Sequence, residues 1–381
     1  MILNNVKSAL TGTPVNLGIT EGQITQISPE AIHRKNEQFQ LTFENAVVFP
    51  GLINSHDHLD FNLFPALGDK KYNSYTEWGS YLHKNYKDKI NQVLKVPETL
   101  REQWGVYKNL LCGITTVVNH GKKIAKREWP ITVYQDTHNI HSVQFGKRWR
   151  LSLNNPLKKN IPVVIHTGEG SDSSSLNEIA QLVSSNLLKK ELIGVHGVAM
   201  TEDLAKEFKA LVWCPESNYF LLNQTAPVNR LKNHTLLLFG TDSTLTGNWN
   251  IWEHIRLARK TKLLYDRELY DTLTINAASA WKLNTGEIKE GKDADIVVAR
   301  MRNNDPSDAF FELEPRDMLI VLHKGSISLF DEELYPQLKG IYLDHYSRIY
   351  IDGTCKYVRG NLPLLMQKIK EYYPDVSFPI I

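Results

Sequence analysis

Cysteine is scarce in this chain: Cys112, Cys214 and Cys355 are the only three in 381 residues, widely spaced and odd in number. That argues against a disulfide framework and suits a reducing compartment. Long apolar runs are missing as well. No window approaches the roughly 18 uninterrupted apolar residues of a membrane-spanning helix. Met1–Leu10, with Asn4, Asn5 and Lys7, lacks the apolar core of a secretory signal. Net charge is almost absent, since 44 Lys+Arg against 42 Asp+Glu leaves +2. The charges are scattered, so no field favours nucleic acid or an anionic membrane. Repeats are absent, and low complexity is confined to Gly170–Ser175. The expectation is a soluble cytoplasmic protein with neither nucleic acid nor membrane as partner.

What remains is an ordinary globular mix, 42% hydrophobic and 23% charged, long enough for one large barrel with an accessory domain. The first fifty residues hold short strand-like pieces, Val15–Ile19, Gln23–Ile27 and Phe39–Phe43, punctuated by Gly12, Pro14, Gly22 and Pro29. From Ala46 the texture changes. Apolar runs at Val47–Phe49, Ile114–Val118, Ile131–Tyr134, Val163–Ile165, Leu192–Val195, Leu211–Trp213 and Leu236–Phe239 alternate with longer amphipathic stretches. Such runs read as strands buried on both faces. Ser175–Lys190 reads as a helix, with Ser173–Ser175 as N-caps and Ile179, Leu182, Val183 and Leu187 on one stripe. With His141–Phe145 as a weaker candidate the strands number eight, which points to a (β/α)8 TIM-like barrel. Strand texture returns at Ile296–Ala299, Leu319–Leu322, Ile341–Leu343 and Arg348–Ile351, before a closing helix at Asn361–Tyr373. The expected organisation is therefore α/β. Residues 1–48 and 285–360 form a small β-sandwich from both termini, 49–284 form the barrel, and 361–381 form a helical tail.

The strongest local feature is PGLINSHDHLD at Pro50–Asp60, where His56 and His58 stand two apart, on the same side of an extended chain. Alone this is weak, because thirteen histidines in this length give about 0.4 such pairs by chance. Other strands end in the same way, however. Val163–Ile165 leads to His166, Thr167, Gly168 and Glu169; Leu192–Val195 leads to His196; Leu236–Phe239 leads to Asp242. At any single position a histidine packed in the core would explain as much. A barrel brings the C-terminal ends of its strands around one axis, and a divalent metal needs nitrogen and oxygen donors about 2.0–2.2 Å from a common point.

These stretches, with GITTV at Gly113–Val117, HTGE at His166–Glu169, HGVAMTEDL at His196–Leu204, WCPESN at Trp213–Asn218, FGTDS at Phe239–Ser243, NAASAWKL at Asn276–Leu283 and GEIKEGKDADIVV at Gly286–Val298, resemble the amidohydrolase superfamily. Within it they are similar to the aminohydrolases, which include cytosine, guanine and adenosine-type deaminases and triazine hydrolases. The resemblance spans about residues 40–300 in the family's order. It implies a barrel beside a composite β-sandwich, and His56, His58, His166 and Asp242 as ligands of one divalent metal, zinc first with Fe2+ or Mn2+ as alternatives. Glu169 would match the proton-shuttling carboxylate. His196 would match the histidine that stabilises developing charge, and Asp242 would also accept a hydrogen bond from the attacking water. The implied substrate is a small heterocycle that loses ammonia by hydrolysis. Ring opening of a cyclic amide, as in imidazolonepropionase or hydantoinase relatives, is the alternative reaction. A catalytically silent barrel acting as a scaffold is the non-enzyme alternative. Relatives often form homodimers, although the sequence shows no interface.

Several residues fit less directly. Binuclear relatives use a carboxylated lysine, for which Lys147 is the nearest candidate. It reads instead as a solvated loop charge, because Glu169 belongs to the mononuclear pattern. Trp78, His83, His120, Asn218 and Trp249 are candidate substrate contacts: helix-face packing is the plainer reading of Trp78 and His83, His120 reads equally as a strand cap and Asn218 as a turn residue, and Trp249 could stack on a flat ring. Cys214 reads as strand-end packing, Trp252 as core, and Asp293 and Asp295 as turn residues.

Overall fold

The computed structural model describes residues 1–34 and 39–381. Near the N-terminus run β1 (Ile2–Ser8), β2 (Pro14–Thr20), β3 (Gln23–Ser28), β4 (Gln40–Thr42) and β5 (Ala46–Pro50). A second group of strands follows: β6 (Leu52–Asp57), β7 (Ile114–Asn119), β8 (Thr132–Tyr134), β9 (His138–Ser142), β10 (Val163–Thr167), β11 (Leu192–His196), β12 (Ala210–Trp213) and β13 (Leu236–Phe239). The chain closes with β14 (Ile296–Arg300), β15 (Met318–His323), β16 (Ser326–Asp331), β17 (Tyr346–Ile351) and β18 (Thr354–Arg359).

The first and last groups share one ten-stranded sheet, joined where β5 pairs antiparallel with β14 through Val48 and Val298. Leu17 and Ile24 from one end of that sheet share a buried cluster with Phe330 from the other. The sheet therefore curls over its own core instead of splitting into two. Val47–Phe49, expected as the first barrel strand, belongs here, because β5 bonds to β1 and β14. The strand that carries the histidines is β6, a separate segment after Gly51. A Cβ at Gly51 would lie 2.2 Å from the Thr115 side chain, so only glycine allows this close passage between the two sheets. Ile341–Leu343, expected as a strand, is a loop entering a 3-10 turn at Leu343–His345; β16 and β18 occupy the sheet instead.

The middle group pairs in parallel throughout, as sheets β6-β7-β8 and β13-β12-β11-β10-β9. Val118, Val164, Ile193, Val212, Leu238 and Ile53 from both sheets meet in one apolar cluster with Trp281. Among the described residues no ladder joins β8 to β9, and β6 meets the β13 end of the other sheet at one isolated bridge, Asp57–Asp242. The fold is thus α/β with parallel sheets, and closure into a ring is not complete at the level of ladders.

Helices cover these sheets. After β6 come α1 (Tyr75–Asn85), α2 (Lys87–Leu94) and α3 (Glu98–Leu111). The helix expected at Ser175–Lys190 runs from Ser173 to Ser184. Its cap is Asp172, whose carboxylate accepts from Ser175 N at 2.8 Å. Leu187 lies beyond its end and is exposed. Lys190 is buried and meets His138 Nδ1 at 2.9 Å. Strand β9 begins three residues before the expected His141 and ends at Ser142. The closing helix, expected at Asn361–Tyr373, runs over Leu362–Tyr372 with Asn361 as its cap. Among the described residues, no helix is long and apolar enough to cross a membrane.

Candidate active site

Strand ends deliver the polar side chains to one point. His56 is the penultimate residue of β6 and His58 follows the strand, and both are buried. His166 lies in β10, where its Nε2 is 3.1 Å from His56 Nε2 and 3.3 Å from His58 Nε2. Asp242 Oδ1 lies 3.7 Å from His56 Nε2 and 3.6 Å from His58 Nε2. Three imidazole nitrogens this close cannot all satisfy one another as donors and acceptors. Donors about 2.1 Å from a tetrahedral ion stand about 3.4 Å apart, which is the spacing found here. Burial, reinforced by the neighbouring imidazoles, pushes His56 and His166 well below the usual histidine range. They are therefore neutral, with lone pairs free for a cation. The donor set fits a divalent transition metal, zinc above all.

Backbone strain marks two of these strand ends. His196 has φ +74° and Asp242 has φ +60°, in the left-handed region that side chains rarely adopt. Both are held by further bonds. Asp242 Oδ2 accepts from Ser217 Oγ at 2.9 Å and Thr246 Oγ1 at 3.0 Å, which leaves Oδ1 to face the histidines. His196 Nδ1 is 2.9 Å from Asn218 Oδ1, while the amide's Nδ2 meets Thr225 Oγ1 at 3.3 Å. That arrangement makes Nδ1 the donor and leaves Nε2 as an acceptor, 3.5 Å from Glu169 Oε2.

Glu169 is buried, and its carboxyl is pushed well above the usual range by burial and then by the negative charges of Asp242 and Glu178. Burial also lowers His196, against the opposing pull of Asp242 and Asn218. Without a metal, Glu169 and His196 thus form a neutral acid–imidazole pair, not an ion pair. Glu178 accepts from Gly168 N at 2.8 Å and from Tyr75 OH at 3.2 Å, holding the turn that carries Glu169.

The site opens into a cavity of about 510 Å³. His58, His166, Glu169, His196 and Asp242 form its floor, and Phe61, Phe64, Trp78, Leu82, Leu94 and Phe145 its apolar wall. Among the described residues, no lysine or arginine lines it. Of the candidate substrate contacts, Trp78 and His83 line this cavity. Trp78 donates Nε1–H to Leu67 O at 2.8 Å, which fixes its ring. His120, Asn218 and Trp249 do not line it. His120 is buried behind the metal histidines, 4.6 Å from the His166 ring centre. Asn218 stands behind His196, and Trp249 packs on the apolar core. Lys147 is solvent-exposed; Trp252 packs edge-on to Phe49 and Phe310, and Cys214 is buried. Asp295 caps a turn, accepting from Lys324 N at 2.7 Å and facing His323 Nδ1 at 2.9 Å.

Sequence reasoning missed His141, on the cavity wall with its ring 5.1 Å from that of His166. It also missed Ser217, Thr246, Glu178 and Lys108. Their functional positions follow from pairings between distant segments, for which the sequence carries no local signal.

Residues 153–327 match the amidohydrolase family, in agreement with the resemblance drawn from the motifs. More particularly, the chain is 24% identical over 387 residues to a 5-methylthioadenosine/S-adenosylhomocysteine deaminase of Caldicellulosiruptor saccharolyticus, covering 83% of this chain and 89% of that one. It is 24% identical over 359 residues to a 5'-deoxyadenosine deaminase of Methanosphaera stadtmanae, covering 76% and 84%. Among solved structures, an adenosine deaminase from Xanthomonas campestris with bound zinc superposes with a TM-score of 0.70 at 15% identity, over 98% of each chain. A guanine deaminase from C. acetobutylicum with bound guanine superposes with a TM-score of 0.65 at 14% identity, over 86% of this chain and 99% of that one.

Proposed function

We propose that the chain is a metal-dependent hydrolase that removes an amino group from a small uncharged heterocycle and releases ammonia. The observation that carries this is the meeting of three imidazole Nε2 atoms with Asp242 Oδ1 on the floor of a cavity that also holds Glu169. His56, His58, His166 and Asp242 would hold the ion, zinc first. A bound divalent ion supplies a water acidic enough to attack near neutral pH.

The chain's own residues do the rest. Asp242, held by Ser217 and Thr246, accepts a hydrogen bond from that water. Glu169, protonated at rest, gives its proton to a ring nitrogen, carries one of the water's two protons to the departing ammonia and takes up the other as the product carbonyl forms, so that it ends as it began. His196 begins as an acceptor, because Nδ1 donates to Asn218, and it supports negative charge only after taking a proton. Among the described residues the cavity has no lysine or arginine, and its wall is mainly apolar apart from groups such as His83, His141 and Tyr75, which suits a neutral ring. Relatives named as deaminases of adenosine derivatives and guanine support the reaction type.

The same proposal treats the two parallel sheets as one (β/α)8 barrel. Their shared apolar interior and the Asp57–Asp242 bridge support this. It treats the sheet made by the chain's two ends as the accessory domain, with the junction at Gly51.

The test is metal content followed by ammonia release from 5'-deoxyadenosine, 5-methylthioadenosine, guanine and a set of cyclic amides. About one equivalent of metal and ammonia from a purine are expected. Ring opening of a cyclic amide without ammonia would replace deamination by the alternative reaction. A metal-free protein inert towards every compound would overturn the proposal.

A further inference from the structure

The weak point of the candidate metal centre is where its ligands come from. His56 and His58 lie at the end of β6, in the three-stranded sheet, while Asp242 follows β13 at the edge of the five-stranded sheet. Among the described residues, no ladder joins these edges beyond the single Asp57–Asp242 bridge. Something else must hold a carboxylate within 3.7 Å of two imidazoles across that seam.

A fully buried polar network lies on the seam. Asp57, between the two histidines, points away from the cavity and accepts at Oδ2 from Lys108 Nζ at 3.0 Å, Asn109 Nδ2 at 2.8 Å and Asn54 Nδ2 at 3.3 Å. Its Oδ1 accepts from Asn62 Nδ2 at 2.8 Å. Lys108, on α3, also donates to Asn62 Oδ1 at 3.1 Å and Thr241 Oγ1 at 3.4 Å. Asn54 reaches the same Thr241 from β6, through Nδ2 to Oγ1 at 2.8 Å and from Thr241 N to Oδ1 at 3.1 Å. Thr241 N and Asp242 N then both donate to His56 O, at 3.1 and 3.0 Å. Thr241, the residue before Asp242, is thus tied to the strand of His56, and the Lys108–Asp57 pair is the charged centre of that tie. Burying such a pair is costly, and well-packed apolar residues would stabilise a core as well or better. Retention of the pair calls for a role beyond stability.

We infer that Lys108 and Asp57 are positioning residues: their buried pair sets the spacing between the β6 histidines and Asp242 across the seam, and so tunes the affinity of the metal centre. This rests on the function proposed above. Lysine and aspartate act here through the backbone and through Thr241, and touch neither substrate nor ion.

The experiment compares three proteins with the native one: Lys108→Met, the double variant Asp57→Asn/Lys108→Met, and Lys356→Met. Lys356 is the matched control, a buried lysine of the other sheet that donates to Asp331 Oδ2 at 2.6 Å, far in sequence from the site. For each, Zn2+ affinity is measured by chelator competition, the absorption spectrum is recorded with Co2+ in the site, and melting is followed for the metal-free protein. Lys108→Met leaves a buried charge unpaired and is expected to lose melting temperature. The double variant, without either charge, is expected to recover it while still binding Zn2+ about ten- to a hundredfold more weakly, with an altered Co2+ spectrum. Lys356→Met is expected to melt earlier with native affinity and spectrum. Native Zn2+ affinity in the double variant would overturn the inference, as would an equal loss of affinity in Lys356→Met. A native protein that bound neither ion would overturn the proposed function and this inference together. Native binding with an unaffected double variant would overturn this inference alone.

Discussion

The floor of the cavity and its outer wall are built by different means. Every polar side chain on the floor sits at or just after a strand end, and His196 and Asp242 have hydrogen-bond partners behind them. Asn218 holds His196, Ser217 and Thr246 hold Asp242, and Asp57 anchors the strand of His56. The wall comes from α1, α2 and the loops beside them, and packs by apolar contact. Leu94 and Phe145, at its rim, are each 50% exposed. A floor held by directional bonds tolerates little displacement, as a reaction centre requires. A wall held by packing can change residue by residue without moving the chemistry, as a specificity surface requires.

The contrast is broken most severely from the floor. His56→Ala should abolish stable metal binding and lower turnover by about a thousandfold or more, since an ion left with fewer donors is neither held nor oriented. Metal analysis after dialysis and ammonia release check this together. Glu169→Gln should keep its metal yet lose about 10²- to 10⁴-fold in kcat, the usual contribution of a general acid–base. Unchanged turnover would remove Glu169 from the reaction.

How much of this was legible in the sequence follows the same division. His56, His58, His166, Glu169, His196 and Asp242 could be named because a strand end is a local feature: an apolar run stops and a polar residue follows. Val47–Phe49 was misplaced by the same logic. It is as apolar as a barrel strand, but its pairing partner, β14, lies some 250 residues on, and periodicity does not register distant partners. Asn218 and Trp249 were both offered as substrate contacts for their places in the chain, one in WCPESN and the other just after the strand that leads to Asp242. One turned out to steady His196, and the other belongs to the core. Lys108 gave no sign at all, because a lysine on an amphipathic helix reads as solvated until its partner is seen.

Substitutions behind the floor and on the wall should separate in kinetics. Asn218→Ala should lower kcat by about ten- to a hundredfold at unchanged metal content, because His196 loses the bond that fixes its tautomer. Trp78→Ala should instead raise KM by about tenfold for substrates with an apolar substituent and spare kcat, since it removes wall area and its Nε1–H bond to Leu67 O but no bond to the floor. A kcat effect at Trp78 equal to that at Asn218 would erase the distinction between floor and wall.

The smallest effect concerns the join between the two. Glu178 is buried beneath the Gly168 turn, and burial pushes its carboxyl up to about 7, against the Gly168 N–H and Tyr75 hydroxyl that favour its charged form. In the folded chain it keeps its proton to a higher pH than in the unfolded chain, where it titrates near 4.5. The stability this proton contributes is therefore complete below about pH 4.5 and is lost as the pH rises to about 7, by at most about 3 kcal/mol. Glu178→Gln carries no titrating proton and escapes that loss. Its melting temperature relative to the native protein should climb across this interval and level off above it. Parallel melting curves from pH 4.5 to 8 would mean that Glu178 is ionised throughout, with its two donors outweighing burial. The turn that carries Glu169 would then be held by a charge, like the seam at Asp57, and not by a neutral acid.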